Sequence, residues 1–133
     1  MTHLLRSVLL AGLASLGGLA ALPARAEVEL VMGEEAGCIW CARWNAEIAP
    51  VYPKTPEGRA APLRRVDIHA HLPEDLDLAG RLVVTPTFVL VEDGVEIDRM
   101  EGYPGETFFW SLLDRMFDSA ADTVPALVDW RDR

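Results

Sequence analysis

The chain has 133 residues, half of them hydrophobic, and its 12 basic and 21 acidic side chains give a formal net charge of −9. That length allows one domain with one modest core. The acidic balance argues against nucleic acid and against anionic membrane surfaces as partners.

Residues 1–26 read as a secretory signal peptide. Arg6 is the single positive side chain of the opening segment, Val8 to Leu22 is an uncharged apolar run, and Ala24-Arg25-Ala26 supplies the small-x-small cleavage pattern. Cleavage before Glu27 is therefore expected. The apolar run falls short of the ~20 residues that span a bilayer, so no stable membrane insertion is expected after cleavage. An uncleaved anchor is the alternative. Export puts the rest of the chain in an oxidising compartment. It divides into a domain over 27–118 and a C-terminal tail over 119–133.

Val28 to Met32 reads as a buried strand, followed by a loop over 33–37 that carries Glu34 and Glu35. Cys38 to Ala49 is helical, with Cys41, Trp44 and Ile48 on one face and Pro50 as terminator. Pro50 to Pro62, rich in proline, reads as a long surface connection. Leu63 to Ile68 is a second strand, and Leu76 to Leu82 is expected as a short helix broken by Gly80. Thr87 to Val91 is nearly continuously apolar, as in a central strand. Asp93-Gly94 signals a hairpin that returns along Val95 to Met100. After a turn at Gly102-Tyr103-Pro104-Gly105, a helix presents one wide apolar face of Phe108, Phe109, Leu112, Leu113, Met116 and Phe117.

The chemistry concentrates at Cys38-Ile39-Trp40-Cys41, which holds the only two cysteines. Such a pair closes a disulfide across one helical turn, and a thiolate at the first position attacks a partner's disulfide. Cys38 at the first turn has unpaired backbone N–H groups and the helix dipole to favour its thiolate. Cys41, nearly one turn on and deeper, is the resolving residue. Two other readings use the same pair. A structural staple would close only a very short loop, which gains little stabilisation. A metal site would need further ligands, for which His69 and His71 are the candidates. No metal and no other cofactor is expected.

The element order, together with Cys38-Ile39-Trp40-Cys41, Thr85-Pro86-Thr87 and Asp93-Gly94 followed by the Gly102 turn, resembles the thioredoxin family from about Val28 to Phe117. The resemblance implies an α/β fold, thioredoxin-like, with a mixed sheet of about four strands flanked by helices. It also implies a cis bond at Thr85–Pro86, where Thr85 offers its backbone to an incoming peptide. Trp40 and Trp44 are candidates for core or rim, and Trp40, an aromatic beside the reactive cysteine, is equally a candidate substrate contact. A narrower resemblance runs from Glu34 to Trp44 and on through Glu47-Ile48-Ala49-Pro50 and Tyr52-Pro53-Lys54-Thr55-Pro56-Glu57-Gly58. These stretches are similar to the periplasmic SoxS-type thioredoxins of bacterial sulfur-oxidation gene clusters. That likeness implies a periplasmic thiol–disulfide oxidoreductase. Its substrate would be a protein partner carrying a cysteine disulfide or a cysteine-bound sulfur adduct. A membrane thiol relay is the expected electron donor, since the chain has no nucleotide-binding motif. A disulfide oxidase or isomerase is the rival enzyme reading, and a metal carrier the rival from another class. Three departures from the usual thioredoxin pattern bear on the potential. Ile39-Trp40 replaces Gly-Pro, Gly37 replaces a tryptophan, and Met32 stands where a buried aspartate assists proton transfer. Glu34 or Glu35 is the candidate substitute for that acid.

Overall fold

A computed structural model describes residues 26–133. The signal-peptide reading of 1–26 lies, apart from Ala26, outside the described residues. Four strands form one sheet in the order β2-β1-β3-β4: β1 is Val28–Glu34, β2 Leu63–Asp67, β3 Thr87–Glu92 and β4 Val95–Glu101. β1 pairs parallel with β2 and antiparallel with β3, and β3 pairs antiparallel with β4. The helices are α1 (Ile39–Glu47), α2 (Pro56–Ala60) and α3 (Glu106–Ala121). This is the expected mixed sheet flanked by helices.

The two central strands read as apolar runs because both of their faces are covered. Alternation along the strand sends Leu30, Met32, Phe88 and Leu90 to one face, where they join Trp44, Phe109, Leu113 and Phe117 of α1 and α3 in the main core. Val31, Val89 and Val91 point the other way and meet Val66, Leu72, Leu76, Leu78 and Leu82. The β3–β4 hairpin turns at Asp93 and Gly94, both at positive φ (49° and 83°), the conformation that a two-residue primed turn demands.

Three expectations need correction. First, Pro50 to Pro62 is more than a long surface connection: a 3-10 turn over Tyr52–Lys54 leads into α2. Thr55 caps α2 by accepting the Gly58 N–H (3.1 Å), and Pro56 occupies the first helical position, where its missing donor costs nothing. The Tyr52 side chain is fully buried, and its hydroxyl donates to the Ala61 carbonyl at 2.7 Å. Second, Leu76 to Leu82 forms no helix. Leu76 and Leu78 share a face at a spacing of two, and Asp77 between them forms an isolated bridge with Val95. Glu96 then accepts the Ala79 N–H (2.7 Å), while Arg99 donates to the Gly80 and Arg81 carbonyls (3.1 and 3.3 Å). Pairing against β4 takes the hydrogen bonds that a helix would have used. Third, Phe108 leaves the apolar stripe of α3. It is 67% exposed, and the buried stripe is Phe109, Leu113, Met116, Phe117 and Ala120.

The segment set apart as a tail folds back on this framework. Val124, Ala126, Leu127 and Trp130 are buried in the main core, and the Trp130 ring meets Phe117 edge-on with centroids 5.1 Å apart.

Candidate active site

Gly37, at φ 79°, turns the chain out of the loop after β1 so that Cys38 becomes the N-cap of α1. The Glu35 carbonyl accepts the Cys38 N–H at 3.4 Å and tightens that turn. Cys38 and Cys41 are joined as a disulfide, with Cα atoms 5.2 Å apart. The Cys41 N–H donates to the Cys38 sulfur at 3.0 Å. This donor is one of the orphan groups at the start of a helix, so once the disulfide is reduced it favours a Cys38 thiolate. The two sulfurs differ in access: Cys41 is buried at 3% exposure, whereas Cys38 is partly exposed.

The helix carrying the pair is short and is anchored by Trp44. That ring is fully buried against Phe88 (5.2 Å between centroids), Phe109 (5.8 Å) and Tyr52 (6.3 Å). The two tryptophans near the cysteines thus separate cleanly: Trp44 is core, and Trp40 is 49% exposed beside Ile39 at 72%. The Arg43 guanidinium lies 6.0 Å from the Trp40 ring centre and pairs with Glu47 at 2.9 Å. Tyr103, from the turn after β4, donates its hydroxyl to the same Glu47 carboxylate at 2.5 Å. That bond, then the bond from Arg43, holds Glu47 below the usual carboxylate range; burial, then the neighbouring carboxylate, pushes the Tyr103 phenol up.

The cis proline that the resemblance implied is present. The Thr85–Pro86 bond is cis, Pro86 is buried, and the Gly102 N–H donates to the Pro86 carbonyl at 2.7 Å. Thr87 is fully buried, and its hydroxyl donates to the Val84 carbonyl at 2.6 Å. Val83 and Val84, just before Thr85, are exposed at 73% and 42%.

Both carboxylates proposed to replace the buried acid are engaged by other side chains. Glu34 pairs with Arg65 at 2.8 Å. Glu35 accepts from the Thr85 hydroxyl at 2.7 Å and pairs with His69 Nε2 at 2.6 Å, and these bonds, Thr85 first, hold it below the usual carboxylate range. Met32 is fully buried beside the Arg65 guanidinium, 3.7 Å from its sulfur. Arg65 also reaches Asn45 at 2.7 Å and lies 5.7 Å from the Trp44 ring centre. The Met32 thioether therefore stands at the position of the acid, with the Arg65 guanidinium beside it.

His69 is 71% exposed and engaged by Glu35, and His71 is exposed. Among the described residues no three His, Cys, Asp or Glu side chains gather as a metal cluster, and no helix is long and apolar enough to cross a membrane. A cavity of about 380 Å³ is lined by Asp67, His69, Leu72, Leu78 and Arg81 among others, and by neither cysteine. A reactive pair outside such a cavity suits a macromolecular substrate better than an enclosed small molecule.

The ties of Glu35 to Thr85 and of Glu47 to Tyr103 were not found from the sequence. Each joins residues 50 or more positions apart, and no local pattern marks such a pair.

Comparison with solved structures adds an independent line. The periplasmic thioredoxin SoxS from Paracoccus pantotrophus, in its reduced form, is 54% identical over 71% of this chain and 99% of its own, with a TM-score of 0.69. A thioredoxin from Fasciola hepatica is 20% identical over 69% of this chain and 83% of its own, with a TM-score of 0.48, too distant to carry an argument. No family model matches the chain, and no curated protein is similar to it.

Proposed function

The chain belongs to the thioredoxin family as a relative of SoxS and is a thiol–disulfide oxidoreductase, and from that premise we propose that it reduces a disulfide or a cysteine-bound sulfur adduct on a periplasmic protein partner, in sulfur oxidation. The observation that carries the reading is the asymmetry of the pair: one sulfur accessible and receiving a helix N–H bond, the other buried beneath it. In the forward step the Cys38 thiolate attacks one sulfur of the partner's disulfide and displaces the other as a thiolate. Cys41 then loses its proton, attacks the Cys38 sulfur and releases the second partner thiol, leaving the Cys38–Cys41 disulfide. The partner gains two electrons and this chain loses two. An external dithiol returns them, and a membrane thiol relay is the donor class that suits an exported protein without a nucleotide site. Thr85 and Pro86 present backbone to the partner segment, and Trp40 covers it. The SoxS relative and the signal-peptide pattern of 1–26 together favour the periplasm.

Trapping tests the roles. Cys41→Ser should accumulate a mixed disulfide through Cys38, because the resolving thiol is gone, and Cys38→Ser should accumulate little. Equal trapping by both variants, or by neither, would overturn the assigned roles.

A further inference from the structure

Glu35 touches both halves of the site. Its backbone carbonyl accepts the Cys38 N–H at 3.4 Å, and its carboxylate Oε1 accepts the Thr85 hydroxyl at 2.7 Å across 50 residues of sequence. Oε2 is taken by His69 Nε2 at 2.6 Å. Thr85 otherwise sits at the end of an irregular segment that begins after β2 and carries the exposed Val83 and Val84. On its far side this stretch is held by the Thr87 hydroxyl on the Val84 carbonyl and by the Gly102 N–H on the Pro86 carbonyl. On the cysteine side the Thr85 hydroxyl reaches Glu35. The two arms of the carboxylate differ in weight. His69 is 71% exposed, so its pairing is screened by solvent and contributes little. The Thr85 bond is partly buried and charge-assisted, the stronger class of hydrogen bond.

We infer that Glu35 is a positioning residue that fixes the Thr85–Pro86 backbone relative to Cys38, so that a protein segment lying along Thr85 presents its sulfur to the nucleophile. The inference rests on the proposed role of Thr85 and Pro86 as the substrate's backbone partner. A small disulfide has no peptide segment to lay there and makes no use of the tie. The substrate class that depends on Glu35 is therefore the extended polypeptide.

Full-length protein bearing Glu35→Ala, Thr85→Val, both, or Glu35→Gln tests this, with dithiothreitol as donor. Insulin serves, with that donor, as the protein disulfide; 5,5′-dithiobis(2-nitrobenzoate), mixed in single turnover with pre-reduced protein freed of dithiothreitol, serves as the small one. Glu35→Ala and Thr85→Val should each raise KM for insulin about three- to tenfold, the worth of one hydrogen bond, with kcat held. The double variant should be no worse than the poorer single one, since both break the same bond. In Glu35→Ala, rates on the small disulfide should stay within about twofold, and Glu35→Gln, which keeps the acceptor oxygen, should recover most of the insulin KM. Additive losses, equal losses on both substrates, or unchanged insulin kinetics would overturn the inference. Amide hydrogen exchange at Val84, Thr85 and Thr87 reads the tie without activity and should quicken in Glu35→Ala. If wild-type protein reduced neither disulfide, the proposed function would fail, and unchanged exchange would separately defeat the tie.

Discussion

Replacing Trp44 tests whether the cysteine helix is held by its buried face. α1 has nine residues, too few to be stable alone, and Trp44 is its largest buried side chain. Trp44→Ala removes the ring from its contacts with Phe88, Phe109 and Tyr52, a truncation that costs about 3–5 kcal/mol. Against a domain stability of about 5–15 kcal/mol that is a large fraction. Trp44→Phe should behave differently. Among the described residues the buried Trp44 Nε1 has no hydrogen-bond partner, and such a donor costs about 1–3 kcal/mol to bury. Phenylalanine deletes that unpaired donor while leaving a cavity of ~40 Å³, worth about 1 kcal/mol at ~24 cal/mol per Å³. The two terms oppose, and Trp44→Phe should fall within about 1 kcal/mol of wild type. Trp40→Ala, at a half-exposed position, should stay within about 0.5 kcal/mol. Urea unfolding followed by circular dichroism measures all three, with Trp44→Ala moving the midpoint by on the order of 2 M. A cost below about 1 kcal/mol for Trp44→Ala would refute the anchoring argument. Equal costs for alanine and phenylalanine would refute the claim about the unpaired N–H.

Two further perturbations probe what holds the site's surroundings. Glu96, whose side chain is 7% exposed, is held below the usual carboxylate range by Arg99 above all, so its stabilisation is present at neutral pH and is lost as pH falls from ~4.3 through its lowered folded value. The gap in unfolding free energy between wild type and Glu96→Gln should therefore shrink between pH 7 and pH 3; a gap constant with pH would contradict this. Trp130, 3% exposed and bonded through Nε1 to Asp118 at 3.2 Å, should cost about 3–5 kcal/mol on replacement by alanine, and a loss under about 1 kcal/mol in urea unfolding would show that 119–133 does not share the core.

Most of the framework was legible because its signals are local. The apolar run at Thr87–Val91, the Asp93-Gly94 turn and the helical recurrence of Phe109, Leu113 and Phe117 each fit one periodicity or turn rule. The cysteine pair was legible for the same reason. α2 was missed although its signature is present, a threonine cap with proline at the first helical position, because the density of prolines around it outweighed the cap. The helix expected over Leu76–Leu82 failed for a non-local reason. Its leucines serve the far face of the sheet, and its backbone bonds go to β4 through Val95, Glu96 and Arg99. The ties that shape the site, Glu35 to Thr85 and Glu47 to Tyr103, depend on the finished fold.

The central claim is that the pair works as a reductant, and its equilibrium potential tests that most directly. Strong oxidants have a stabilised reduced form, whereas reductants keep a disulfide of low potential. A reductant of this kind should have a value nearer thioredoxin's ~−270 mV than the ~−120 mV of the strongest periplasmic oxidant. Titration of the purified protein against dithiothreitol or glutathione, followed by the fluorescence of Trp40 and Trp44, gives the number. A potential near the oxidant end would contradict the reductase reading and favour a disulfide-forming enzyme.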